Sequence, residues 1–143
     1  MSFQWLEMRI QEERERRNRE AQILERLPGA LEELLSELGS CVGSYTAAFG
    51  EESAEIEPYG RGIRITVREE EEGKWKVCSK LAIEIVAALP GFRIDRGDGE
   101  PLQIMVGVLP GDKLFYREGE EYIGMDELSR RILDRALFPK LKA

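Results

Sequence analysis

The sequence predicts an α+β domain with two N-terminal helices, an antiparallel meander of four to five strands and one C-terminal helix, the helices packing on one face of a curved sheet. Three observations predict this class: a helical spacing of apolar residues up to about residue 49, alternation from residue 54, and helical spacing again near the end. With 143 residues, 42% of them hydrophobic, the chain suits one core. We expect a long charged helix over residues 1–27 and a single α+β domain over residues 28–143.

The first helix is predicted by its charge pattern. The stretch QEERERRNRE, residues 11–20, contains no apolar side chain. Glu12 and Arg16, like Glu13 and Arg17, are four residues apart with the glutamate first, which is the order that stabilises a helix. This spacing favours a solvated helix over a disordered segment.

Apolar side chains occupy both ends of this helix. The first end carries Phe3, Trp5, Leu6, Met8 and Ile10, and the second carries Ala21, Ile23, Leu24 and Leu27. Because one face of a small domain cannot readily cover both ends, we expect the first end to be an interface with a second copy, in a two-fold homodimer or a helix exchange. The alternative is a helix that lies across its own domain.

A second helix is predicted over residues 29–49. Pro28 suits its first turn, an apolar residue recurs every three or four positions from Leu31 onward, and Gly50 is placed to end it. Gly39 and Gly43 interrupt this helix at a cost of about 1 kcal/mol each, which indicates close packing of another element or a ligand against the backbone.

Strands are predicted where apolar residues alternate with polar ones. The alternating runs are residues 63–68, 81–89 and 102–108, with a bulge or bend expected at Ser79 and Lys80. Short polar segments at 69–73, 95–101, 109–112 and 118–121 predict hairpin connections and therefore a meander. A last helix is predicted before Pro139, with Asp126 and Glu127 in its first turn.

Composition argues against several classes of function. The chain has no histidine, and Cys41 and Cys78 have no such base beside them, so we interpret both thiols as packing residues and expect no metal or cofactor. The net charge is −7 and the basic excess is confined to residues 128–143, so we expect no nucleic-acid binding. No long apolar run and no signal-peptide pattern occurs, which predicts a cytoplasmic protein that does not bind membranes.

Glu84 is the one acidic residue in the most apolar stretch, LAIEIVAAL. If helices covered its face of the sheet, its carboxylate would be desolvated and could act as a general base beside Arg64. If its face is open, Glu84 is the polar half of an alternating strand, which is the interpretation that we favour because Leu81, Ile83 and Ile85 lie on the other face.

The sequence therefore favours a non-catalytic interaction protein that self-associates through its N-terminal helix and binds another protein. The alternative is a small-molecule binding protein or enzyme with a cavity between sheet and helices, in which a carboxylate such as Glu84 replaces histidine.

Overall fold

One long helix, seven strands and one short helix follow each other in the structure, a computed structural model that describes residues 3–97 and 99–141. The elements are α1 (Gln4–Phe49), a 3₁₀ turn (Glu51–Ser53), β1 (Ala54–Tyr59), β2 (Gly62–Glu71), β3 (Lys74–Val86), β4 (Gly91–Asp95), β5 (Leu102–Leu109), β6 (Lys113–Glu118), β7 (Glu121–Ile123) and α2 (Met125–Leu137). The predicted turn at 95–101 contains Asp98, which lies outside the described residues.

The strands form one antiparallel sheet in which their spatial order equals their order in the chain. The predicted α+β class and antiparallel meander are thus confirmed, but the predicted number of four to five strands is wrong, since there are seven. β1 contains Pro58, β4 has five residues and β7 has three, so each carries a weak local signal and forms because a longer neighbour offers it hydrogen bonds. The β2–β3 register shifts at Cys78, so a bulge is present one residue before the predicted position at Ser79 and Lys80.

The prediction of two N-terminal helices is also wrong, because α1 runs through Pro28 without a break. A proline inside a helix costs about 3 kcal/mol, since it removes one hydrogen bond. Here the proline ring is exposed, while Leu27 and Ala30 on either side are buried in the same core. Burial of Leu27 and Ala30, before and after Pro28, keeps the helix continuous. This stabilisation comes from tertiary packing, which sequence rules based on neighbouring residues do not include.

The core lies between the helices and one face of the sheet. Alternate residues of the strands are buried, and α1 contacts β1, β3 and β5 while α2 contacts β3. The most buried large side chains are Phe92, Leu27, Leu34, Leu38, Ile63, Ile65, Ile83, Ile94, Ile104, Leu128 and Ile132. All of the buried residues of α1 come from Leu27 onward, so only the second half of this helix belongs to the domain.

Arg131 of helix α2 forms ion pairs with two strands of the sheet. Its guanidinium binds Glu118 of β6 at 2.6 Å, Glu121 of β7 at 2.7 Å and Glu127 one turn earlier at 3.1 Å. A guanidinium that binds three carboxylates orients a helix more strongly than a single exposed pair does. The last helix was predicted correctly because its apolar face and its terminal charges agree.

Gly39 and Gly43 face open space. A Cβ added at either glycine would meet no atom within 4 Å outside the helix's own backbone. The prediction that another element packs closely on them is therefore wrong within this chain. Both positions lie in the part of α1 that the sheet already supports, so the helix tolerates their cost of about 1 kcal/mol each.

Candidate interaction site

The first half of α1 extends beyond the domain. We call residues 3–22 the overhang; every side chain in it is exposed except those of Glu13 and Glu20, which are half-buried. At 1.5 Å per residue the overhang is roughly 30 Å long. The exposed fractions of its apolar side chains are 56% for Phe3, 68% for Trp5, 40% for Leu6, 64% for Met8 and 43% for Ile10. The five residues predicted as an interface therefore form an apolar surface that is open in the single chain.

Ion pairs hold the middle of the overhang. Glu13 accepts hydrogen bonds from Arg16 at 2.8 Å and from Arg17 at 3.1 Å, and Arg16 also binds Glu20 at 2.6 Å. These bonds, to Arg16 first and then to Arg17, lower the pKa of Glu13 from 4.5 to about 2. The charged segment thus forms the predicted helix without a core beneath it. Of the two predicted pairs, Glu13 with Arg17 is present, whereas Glu12 binds Arg9 at 2.9 Å and not Arg16.

The lowered pKa gives the overhang an acid-sensitive contribution to stability. Because the pKa of Glu13 is lower in the folded chain than the usual 4.5, this contribution is complete above pH 4.5 and is lost as the pH falls through about 2. We expect NMR titration of the side-chain carboxyl carbons to give Glu13 a midpoint of about 2. Replacing Arg16→Gln should move the midpoint toward 4.5, whereas Arg14→Gln should not. A wild-type midpoint near 4.5 would contradict the ion-pair geometry.

One stripe of residues runs along the whole of α1. Its members, seven residues apart, are Phe3, Ile10, Arg17, Leu24, Leu31 and Leu38. Leu38 is buried against the sheet, Leu24 and Leu31 are half-buried, and the first three members are exposed. The half-buried flank of α1 that carries Leu24 and Leu31 therefore continues onto the overhang, with a drift of about 20° around the helix per seven residues, and nothing in this chain covers it there.

A groove lies where the overhang leaves the domain. We call it the root groove; its volume is about 620 Å³, and its lining includes Leu24, Leu31 and Leu35 of α1, Pro58 of β1, Ile85 of β3 and Ala87 after β3. Most of this lining is apolar. No local pattern in the sequence marks Pro58 or Ala87 as part of a site, because the groove exists only where three separate segments meet.

A second groove, of about 500 Å³, separates the end of α1 from α2. Tyr45 of α1 forms its floor with Phe49 and Phe138, whose ring centroids lie 4.8 Å and 5.6 Å from the Tyr45 centroid. Cys41 also lines it as a half-buried thiol, and Cys78 lies elsewhere, on β3. Cys78 is exposed, and partial desolvation of its sulfur raises the pKa of the thiol, which disfavours its nucleophilic form.

The structure does not bring Glu84 and Arg64 together. Glu84 is exposed on the open face of the sheet, beside Gly62 of β2 and Arg93 of β4. Arg64 instead binds Glu57 across β1 and β2, which raises the pKa of its guanidinium, and lies 4.4 Å above the ring of Tyr59. The two residues named for a carboxylate-based site thus lie on the surface with different neighbours.

Tyr116 is the most unusual polar group of the core. Its hydroxyl is buried, has no hydrogen-bond partner among the described residues, and has its pKa raised to about 12 by burial. A hollow of about 540 Å³ beside it is lined by Arg26, Glu33 and Asp112, among others. Arg26 is already paired with Asp112, so the hollow contains both signs of charge and selects no class of ligand.

Three further observations complete the description. Within residues 3–97 and 99–141, no group of three or more Cys, Asp or Glu side chains could hold a metal ion. In the same part of the chain, neither helix is long and apolar enough to cross a membrane. No protein-family model matches the chain, and no curated protein or solved structure matches it either.

Proposed function

We propose that this chain is a non-catalytic interaction protein that self-associates through its overhang and binds another protein. The observation that supports self-association is the open apolar surface formed by the five side chains from Phe3 to Ile10. The proposal includes a homodimer, a protein partner and a cytoplasmic location. It also includes the division of the chain into a charged N-terminal helix, residues 1–27, and a single α+β domain, residues 28–143.

The energetics of a solitary helix support the proposal. In water a helix without tertiary contacts depends on propensity and on pairs such as Glu13 with Arg17, which contribute roughly 0.2–0.5 kcal/mol each. Burying one large apolar side chain contributes about 1.5–3 kcal/mol. Contact of the five apolar residues with another surface would therefore stabilise the overhang far more than its ion pairs do.

The test is the solution mass of the whole chain, measured by light scattering after size exclusion across a dilution series. We expect a dimer whose dissociation depends on concentration. Replacing Leu6→Glu together with Ile10→Glu should give a monomer, because each new carboxylate would lie unpaired in the interface.

A matched variant adds the same charge elsewhere on the overhang. Replacing Gln11→Glu together with Asn18→Glu alters two exposed polar positions and should leave the dimer intact. A wild-type chain that stays monomeric at every concentration would refute self-association. A dimer that survives the Leu6→Glu and Ile10→Glu changes would show that another surface holds it.

A further inference from the structure

We propose that the tip of the overhang, residues 3–10, binds in the root groove of a second copy, in an antiparallel two-fold pair of α1 helices. This inference rests on the proposed self-association and adds the surface that receives the tip. Two properties of α1 support it: the distance between tip and groove, and the stripe that they share.

The tip cannot reach the root groove of its own chain. Leu6 and Pro28, which lines the groove, lie on the same continuous helix, roughly 33 Å apart at 1.5 Å per residue. A continuous helix cannot fold back on itself, so a tip in this groove comes from another molecule. The residues available for that role are those of a second overhang, which is apolar and open.

The stripe gives the arrangement its symmetry. In a two-fold pair the same surface of each copy faces the other, and every contact occurs twice. Phe3 and Ile10 of the tip and Leu24 and Leu31 beside the groove belong to one stripe, so pairing two stripes in opposite directions sets each tip against the other copy's groove. Pairing of the tips alone would form a single small contact and leave both grooves open.

One ion pair between the two copies fits the same register. If Ile10 lies beside Leu24 of the second copy, Phe3 lies beside Leu31 and Arg14 lies beside Glu20. Arg14 makes no ion pair within the described part of its own chain, so this register gives it a carboxylate neighbour. The two-fold axis then passes near Arg17, whose guanidinium is paired with Glu13 of its own chain at 3.1 Å.

The position of the root groove distinguishes it from the groove between α1 and α2. The root groove begins at Leu24, directly after the overhang, so the partner helix stays in contact along its whole length. The other groove begins at Cys41, ten residues beyond Leu31 on α1 and roughly 15 Å away at 1.5 Å per residue, so a tip that contacts Leu24 and Leu31 does not reach it.

The first experiment blocks the groove without changing α1. Ala87 lines the root groove, and its exposed neighbour Ala88 does not. Replacing Ala87→Arg would place a long charged side chain in the space where the tip binds, and we expect the dimer dissociation constant to rise at least about tenfold. Ala88→Arg, which adds the same charge, should leave the constant unchanged. Sedimentation equilibrium of the full chain measures both.

The possible results distinguish binding in the root groove from self-association in general. A dimer weakened by Ala87→Arg and not by Ala88→Arg supports the root groove. A wild-type dimer that neither substitution weakens overturns the root groove and leaves self-association standing. A wild-type monomer overturns both.

The second experiment tests the direction and register. In a full chain with Cys41→Ser and Cys78→Ser, Arg17→Cys would lie near the two-fold axis, within the usual Cα separation of a disulfide, and should link two copies on oxidation. Glu15→Cys, on the other side of the helix, should not link them. Absence of the Arg17→Cys link in a dimer, or equal linking by both variants, would overturn the antiparallel register.

Discussion

Replacing Phe92→Ala is expected to lower the free energy of unfolding by about 3–5 kcal/mol. Phe92 of β4 is fully buried and packs beside Tyr116 of β6, with their ring centroids 6.4 Å apart. Removing the ring takes away apolar contacts and leaves a cavity in the core that the sheet cannot close, because β4 is hydrogen-bonded on both sides. Urea denaturation at one fixed protein concentration measures the change, since self-association would make stability depend on concentration.

Leu89→Ala is the control for the cavity. Leu89 is 55% exposed in the turn that leads into β4, so its truncation should change the free energy of unfolding by less than about 0.5 kcal/mol. Equal urea midpoints for the two variants would contradict the placement of Phe92 in the core.

Replacing Gly91→Ala is expected to destabilise the fold by more than about 3 kcal/mol, beyond the usual range for an overpacked core. A Cβ at Gly91 would lie 1.9 Å from the carbonyl oxygen of Ile104 and 3.0 Å from the Cα of Met105. Both atoms are backbone of β5, so rotation of a side chain cannot relieve the overlap and the two strands must separate. Thermal or urea unfolding followed by circular dichroism measures the loss.

A glycine-to-alanine substitution at a position that faces open space should raise the free energy of unfolding, the opposite of the effect at Gly91. Gly39→Ala adds a methyl group that meets no atom within 4 Å outside the backbone of α1, in a position where alanine favours helix by about 1 kcal/mol. We therefore expect Gly39→Ala to raise the free energy of unfolding. A stable Gly91→Ala variant would show that β4 and β5 lie farther apart than the structure places them.

Elements could be predicted from the sequence where the hydrophobic pattern and the residues at the element's ends indicate the same conformation. The last helix combines an apolar face with acidic residues at its start and arginines later, and the structure places it at Met125–Leu137. The alternation in β2, β5 and the part of β3 up to Val86 predicted which residues face the core, because side chains of a strand point to opposite faces in turn. The predicted run to residue 89 is too long, since β3 ends at Val86 and Leu89 is exposed in the turn that follows. In these segments local preference and tertiary packing require the same conformation.

Elements whose conformation depends on neighbours were missed. Pro28 is a helix-start signal in the sequence, yet here it lies inside α1, because Leu27 and Ala30 are buried in the same core. Strands β1 and β7 are short edge strands with polar residues, and each forms on a hydrogen-bonding edge that the rest of the sheet supplies. Local rules do not contain these long-range contributions.

The sequence by itself determined the α+β class, the antiparallel arrangement of strands joined by short turns, and the positions of the apolar and charged segments in the first helix. These features follow from hydrophobic period and charge spacing, which are local properties. Only the tertiary structure decided that α1 is one helix whose first half has no support from its own domain, and that a groove lies at its root. Exposure and shape depend on residues distant in the chain, such as Leu24, Pro58 and Ala87, and are settled only when the sheet is assembled.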